Sequence, residues 1–107
     1  MNQEKIRVGL VGVGGVCDAV HYPGFKRIPD VEIVGICEPN DQLRVDRQRE
    51  WGIDNCFADA DEFFEKVNPD AVAIATPNVF HKSLIERSLR SGSHVLCEKP
   101  LGMNYQE

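Results

Sequence analysis

The length, composition and charge of the chain exclude several classes of protein. It has 107 residues, of which 42% are hydrophobic and 27% charged, and its formal net charge is -5. This balance is typical of one globular domain, and no apolar run approaches the ~18 residues of a membrane-spanning helix. An acidic chain without a basic stripe is a poor match to nucleic acid. The polar N-terminus has no secretion signal, which predicts a cytoplasmic location.

The cysteines predict neither a metal site nor a redox motif. Cys17, Cys37, Cys56 and Cys97 are scattered without a C-x-x-C pair, which argues against a zinc site and against a catalytic dithiol. Cys37 and Cys97 lie inside apolar runs and are expected to be small buried side chains. We therefore expect reduced thiols and no bound metal.

Apolar runs alternate with helical segments along the chain. The runs lack polar alternation, as expected for parallel strands that are covered on both faces. Pro23-Gly24 is expected to end or bend the first helix early. An apolar stripe at helical spacing, from Phe80 through Leu84 and Ile85 to Leu89, marks the last complete helix. The predicted strands are 6–11, 31–37, 55–58, 71–75 and 94–97, and the predicted helices are 16–27, 41–51, 59–67 and 80–89.

This regular alternation predicts the class of fold. Strands and helices joined by short loops are typical of a doubly wound parallel sheet with right-handed crossovers, which is a three-layer α/β/α architecture. Residues Met103–Glu107 have the pattern of a further helix start, with Asn104 as N-cap and Glu107 three residues later. We therefore expect residues 1–107 to form one domain that is truncated before its last helix and strand.

A glycine cluster follows the first strand and opens the first helix. Gly12, Gly14 and Gly15 are followed by Val16 and Cys17, in the position of a G-x-G-x-x-G turn. Glycines there permit a tight turn and bring backbone N–H groups close to a pyrophosphate at a helix N-terminus. Cys17 replaces the third small residue, which a slight shift of the helix against the strand accommodates. The alternative is a glycine-rich turn with a structural role only.

Glu38 strengthens the interpretation of this turn as a dinucleotide site. It ends the second strand, in the window roughly 20 residues past the glycines where an acid binds the adenosine ribose hydroxyls. A carboxylate there repels a 2′-phosphate, and the next arginine is Arg44. The local charge therefore favours NAD over NADP. The alternative is a solvated acid at the end of a strand.

Two further motifs follow the fourth and fifth strands, at the sheet edge where doubly wound proteins bind ligands. They are Thr76-Pro77-Asn78 with His81, and Cys97-Glu98-Lys99-Pro100-Leu101-Gly102. Together with the glycine turn, His21 and Glu38, they resemble the Gfo/Idh/MocA family of NAD(P)-dependent oxidoreductases, over essentially the whole chain. The resemblance implies a Rossmann domain and hydride transfer between a nicotinamide cofactor and a carbinol or carbonyl of a sugar, inositol or related polyol.

The resemblance also implies a role for each motif. Lys99 would be the catalytic residue, whose charge stabilises a developing alkoxide or assists proton transfer. The glycine turn would hold the pyrophosphate, Glu38 and Glu98 would contact the two riboses, and the segment 76–81 would line the nicotinamide half. The implied cofactor-binding residues are Gly12, Gly14, Gly15, Val16, Glu38, Thr76, Pro77, Asn78, His81 and Glu98.

Members of this family carry a second α+β domain that holds the substrate, and no segment of this chain corresponds to it. We therefore expect the chain to bind NAD, with NADP less favoured, and not to turn over a polyol by itself. Self-association is expected because the fifth strand leaves an open sheet edge. The alternatives are a non-catalytic dinucleotide-binding sensor or interaction module, and a transferase or lyase that recycles its hydride.

Overall fold

Strands and helices alternate along the part of the chain that the computed structural model describes, residues 5–15, 17, 21–76 and 81–97. None of the helices within these ranges is long and apolar enough to cross a membrane. In chain order the elements are β1 (Ile6–Val11), α1 (Tyr22–Lys26), β2 (Val31–Cys37), α2 (Asp41–Trp51), β3 (Cys56–Phe57), α3 (Ala60–Val67), β4 (Ala71–Ile74), α4 (His81–Arg90) and β5 (His94–Cys97).

The five strands form one sheet in the order β3-β2-β1-β4-β5. All neighbouring strands are parallel. The chain moves outward from β1 to β3 and then crosses over to β4, next to β1 on its other side. Because the order reverses there, a crevice is expected beyond the carboxyl ends of β1 and β4, and this is where ligands bind in such sheets.

Each face of the sheet carries its own apolar core. On one face α1 and α2 cover Leu10, Ile36 and Ala73. On the other face α3 and α4 cover Val72 and Ile74. Successive residues of a strand point to opposite faces, so β4 contributes to both cores. The predicted three-layer, doubly wound α/β/α fold is confirmed.

Capping residues explain where α2 and α3 begin and end. The side chains of Asn40 and Asp59 each accept a hydrogen bond from the backbone N–H three residues later, at 2.9 Å, as N-caps do. Gly52 and Asn68 end the two helices in the left-handed conformation, with φ of 67° and 48°. The limits of α2 agree with the prediction, and α3 begins one residue later than predicted. β3 and β4 are shorter than predicted.

Pro23-Gly24 does not end helix α1, which continues to Lys26, because Pro23 lies in its first turn, where a backbone N–H has no acceptor within the helix. The expected apolar stripe of α4 is wrong at its last residue. Leu89 is 61% exposed, although Leu84 and Ile85 pack against the core. The buried face of α4 is centred on Ser88, which is fully buried, and Leu89 lies a further ~100° around the helix axis.

Gly9 of β1 provides a test of the packing beneath α3. A Cβ added at Gly9 would lie 2.4 Å from Phe63 Cζ, and Phe63 is fully buried. We expect Gly9→Ala to lower the free energy of unfolding in urea by about 1–3 kcal/mol, because the ring cannot move away without disturbing its neighbours. The matched control is Gly24→Ala in α1, where the added Cβ meets no described atom within 4 Å. This control should raise stability by roughly 0.5–1 kcal/mol. If Gly9→Ala is as stable as the wild type, the packing argument is wrong.

Candidate functional site

The glycine turn leaves β1 at Gly12, which has a φ of 86°. Its N–H donates to the carbonyl oxygen of Cys37 at 2.8 Å and so joins the turn to the end of β2. A Cβ at Gly12 would lie 2.8 Å from Thr76 Cγ2 and 2.9 Å from the carbonyl atoms of Ala75. Glycine is therefore required here twice, by the backbone conformation and by the close approach of the segment that follows β4.

Gly14 and Gly15 lie on the open side of this turn. A Cβ added at either position would meet no other described atom within 4 Å. Packing among the described residues therefore gives no reason for glycine at these two positions. The open space fits a ligand that approaches the backbone closely, as a pyrophosphate does at the start of a helix.

The Glu38 side chain is only 9% exposed and contacts the glycine turn. Its Oε1 accepts a hydrogen bond from Val13 N at 3.0 Å, and its Oε2 accepts one from Asn40 N at 3.1 Å. Each carboxylate oxygen has a second lone pair, which leaves acceptor capacity for ribose hydroxyls. Glu38 thus braces the turn, a contact that sequence reasoning missed because it joins two loops 25 residues apart.

Two arginines of α2 lie beside the turn. Arg47 Nε donates to the carbonyl oxygen of Val13 at 2.8 Å. Arg44 donates to the carbonyl oxygen of Glu38 at 2.8 Å and forms an ion pair with Asp41 at 2.7 Å. The Arg44 side chain is 19% exposed, and the Arg47 side chain is 14% exposed. Sequence reasoning identified neither as a site residue; their spacing of three on one helix face, just after β2, was the available signal.

An apolar pocket of about 170 Å³ lies at the carboxyl ends of the strands. Its lining includes Cys37, Pro39, Thr76 and Leu84. Burial, with a smaller contribution from the negative charges of Asp59 and Glu38, raises the pKa of the Cys37 thiol from 9.0 to about 12. The thiol is therefore protonated at neutral pH and acts as an apolar wall. The pocket therefore presents an apolar lining to any group that enters it.

The structure brings part of the predicted site together. Gly12, Gly14, Gly15, Glu38 and Thr76 lie at one end of the sheet, around the glycine turn. Among the described residues, no group of three His, Cys, Asp or Glu side chains could hold a metal ion. The predicted residues outside the described part are Val16, Pro77, Asn78, Glu98, Lys99 and the side chain of His81, together with the helix start at Met103–Glu107.

Known proteins are similar to this chain in sequence or in fold. D-glucoside 3-dehydrogenase of Escherichia coli is 30% identical over 107 residues, which are 100% of this chain and 30% of that protein. The chain thus spans about 30% of the length of this curated relative. Scyllo-inositol dehydrogenase of Lactobacillus casei, solved with NAD(H) and scyllo-inositol, is similar with a TM-score of 0.82 and 28% identity, over 96% of this chain and 30% of that one.

A further similar structure contains the other nicotinamide cofactor. It is a 3-ketoreductase from Actinomadura kijaniata in complex with TDP-benzene and NADP, with a TM-score of 0.80 and 28% identity, over 92% of this chain and 31% of that one. The family model described as an oxidoreductase family with an NAD-binding Rossmann fold matches residues 6–107. The chain therefore belongs to the Gfo/Idh/MocA oxidoreductase family and forms its NAD-binding Rossmann domain.

Proposed function

We propose that this chain is the cofactor domain of an enzyme that transfers hydride between a nicotinamide dinucleotide and a carbinol or carbonyl of a sugar, inositol or related polyol. The glycine turn is the observation that carries the proposal. Gly12 has no room for a side chain beside Thr76 and Ala75, whereas a Cβ at either of the next two glycines would meet no described atom within 4 Å. The names of the similar proteins, a glucoside dehydrogenase and an inositol dehydrogenase, support the class of substrate.

Within this proposal the described residues bind the adenosine half and the pyrophosphate. Gly14 and Gly15 expose backbone to the phosphates, and the carboxylate of Glu38 accepts hydrogen bonds from the adenosine ribose. The apolar pocket beside Pro39 and Leu84, of about 170 Å³, would take the adenine ring. We propose that NAD is preferred over NADP, because a 2′-phosphate would bring a second negative charge to Glu38.

The nicotinamide half is proposed to lie at the ends of β4 and β5. Thr76, Pro77, Asn78 and His81 are assigned to its surroundings, and Glu98 to its ribose. A bound nicotinamide ring would supply or accept the hydride. Lys99 is assigned to the reacting oxygen of the substrate, where its ammonium group would stabilise negative charge or exchange a proton. The substrate itself is proposed to bind against the part of the enzyme that this chain does not contain.

Lys99→Ala tests the catalytic assignment in a polypeptide that joins this domain to the remaining part found in the relatives. We expect kcat with NAD and a panel of inositols and hexoses to fall by about 10²–10⁴-fold, because the group that handles the substrate proton is removed. The Kd for NAD should stay near the wild-type value. The exposed Lys66 of α3 provides the control, since Lys66→Ala removes the same charge far from the proposed chemistry. An unchanged kcat in Lys99→Ala would contradict the catalytic assignment of Lys99, and a wild-type polypeptide that binds NAD without any turnover would favour the non-catalytic module.

We also propose that the chain by itself lacks turnover and self-associates through β5. This strand is at one edge of the described sheet, and Leu96 on it is 51% exposed. Sheet edges of this kind pair readily with other chains.

A cytoplasmic location is proposed as well, since the Cys37 and Cys56 thiols are not in disulfides, as expected in a reducing compartment.

A further inference from the structure

The guanidinium group of Arg47 is held at three points. Its Nε donates to the carbonyl oxygen of Val13 at 2.8 Å, and its Nη1 pairs with Glu50 Oε1 at 2.9 Å. Its Cζ lies 5.6 Å from the centroid of the Trp51 ring, a contact that favours a cation. A side chain with three such contacts has one well-defined position and loses little further entropy when a ligand binds nearby.

Trp51 is itself fixed by a stacking contact with α1. Its ring lies 4.1 Å from that of Tyr22, centroid to centroid, with an angle of 5° between the planes. Lys26 Nζ lies 6.0 Å from the centroid of the Tyr22 ring. Arg47 is therefore supported by both helices of this face, and it connects them to the glycine turn.

The hydrogen bond between Arg47 and the Val13 carbonyl also fixes the direction of the Gly14 N–H, through the geometry of the peptide bond. The C=O of Val13 and the N–H of Gly14 belong to one peptide bond, and in a trans peptide these two groups point in opposite directions. The described backbone contains no cis bond. A hydrogen bond that holds the Val13 oxygen toward α2 therefore directs the Gly14 N–H away from α2. An added Cβ at Gly14 would meet no described atom within 4 Å, which leaves room for a ligand beside this N–H.

The preceding peptide of the turn is held in the same manner. Val13 N donates to Glu38 Oε1 at 3.0 Å. The backbone N–H of Val13 is thus bound by Glu38, and its backbone C=O is bound by Arg47. Without Arg47 the Val13 carbonyl would lose this hydrogen bond, and the peptide that carries the Gly14 N–H would have to be ordered at the moment of binding.

We propose that Arg47 is a positioning residue for pyrophosphate binding, which aims the Gly14 N–H at the phosphates of the cofactor. This inference rests on the proposed dinucleotide function of the turn. Arg47 acts through the Val13 peptide, so it need not contact the cofactor. Loss of the Arg47 side chain should therefore weaken the binding of ligands that contain a pyrophosphate and leave the binding of other ligands unchanged.

Arg47→Met tests this inference, because methionine retains an apolar stem over Trp51 and lacks the donor. Removing a charged hydrogen bond should raise the Kd of the chain for NAD about tenfold or more. The Kd for adenosine, which has no pyrophosphate, should remain near the wild-type value. Arg49→Met is the matched control, since Arg49 is an exposed arginine of the same helix and its loss should leave the Kd for NAD unchanged. Unchanged NAD binding in Arg47→Met, or an equal loss for NAD and adenosine, would overturn the inference.

The Gly14 amide provides a second test, in the wild-type chain and in a conservative variant. In amide NMR spectra, the Gly14 resonance should shift when inorganic pyrophosphate is added, and Arg47→Lys, which retains a donor, should retain part of that shift. A Gly14 resonance that does not respond would overturn the inference. If the wild type binds neither NAD nor NADP, the proposed function fails together with the inference; if the wild type and Arg47→Met bind NAD equally, the inference alone fails.

Discussion

Gly12→Ala is expected to lower the NAD affinity of the chain by about ten- to a hundredfold, because a displaced turn loses hydrogen bonds to the charged pyrophosphate, each worth about 1.5–3 kcal/mol. Its free energy of unfolding should fall by about 2–5 kcal/mol. Roughly 1–2 kcal/mol of this comes from forcing alanine into the left-handed conformation, and about 1–3 kcal/mol from overlap with the Ala75 carbonyl group. The overlap is with backbone, at 2.9 Å, so it can be relieved only by displacing the turn or the end of β4.

Gly92→Ala separates the two contributions. Gly92 has a φ of 83°, close to the 86° of Gly12, but an added Cβ there would meet no described atom within 4 Å. This control should lose only about 1–2 kcal/mol of stability and keep the wild-type Kd for NAD. Urea unfolding and calorimetric titration measure the two quantities. If Gly12→Ala and Gly92→Ala behave alike, the close approach of Thr76 and Ala75 to the turn has no functional consequence.

Glu38→Ala is expected to weaken NAD binding by about ten- to a hundredfold and to reduce or reverse the preference over NADP. The variant loses two hydrogen bonds from backbone N–H groups to a carboxylate, each worth about 1.5–3 kcal/mol. It also loses the negative charge that would oppose a 2′-phosphate. Arg44, which donates to the Glu38 carbonyl oxygen at 2.8 Å, then lies beside the site without the opposing carboxylate and should favour NADP.

Glu38→Gln separates the charge from the bracing contact. Glutamine keeps one oxygen that can accept from Val13 N–H, whereas its amide group faces the Asn40 N–H as a second donor. We expect a smaller loss of stability than in Glu38→Ala and a similar gain in NADP relative to NAD. Glu65→Gln, at an exposed position of α3, removes the same charge. It should change neither the free energy of unfolding nor the ratio of the Kd values for NADP and NAD. A wild-type ratio of the two Kd values in Glu38→Gln would show that the charge does not select the cofactor.

The limits of the strands and helices were largely predictable because their causes are local. Apolar runs predicted β1, β2 and β5, and α2 was predicted at residues 41–51, the bounds that the structure shows. The error at Leu89 arose because tertiary packing decided the outcome. The exposure of Leu89 depends on the burial of Ser88 against the sheet, which helical periodicity alone does not reveal.

The site was predictable only where one residue type has a distinct backbone property. The positive φ of Gly12 and the position of Glu38 at a strand end follow from the motif. The hydrogen bonds of Glu38 and Arg47 with Val13 do not follow from the motif, because they join residues that are 25 and 34 positions apart in the chain. Their contacts depend on how α2 packs after β2, a result of the fold and not of any local pattern.

Calorimetric titration of the chain with NAD, and separately with NADP, tests the central claim most directly, once circular dichroism has shown that the chain is folded. The proposed role of the glycine turn and of Glu38 predicts saturable binding of both cofactors, or of NAD alone, with the lower Kd for NAD. A folded chain that binds neither cofactor would contradict the assignment of this turn as a dinucleotide site.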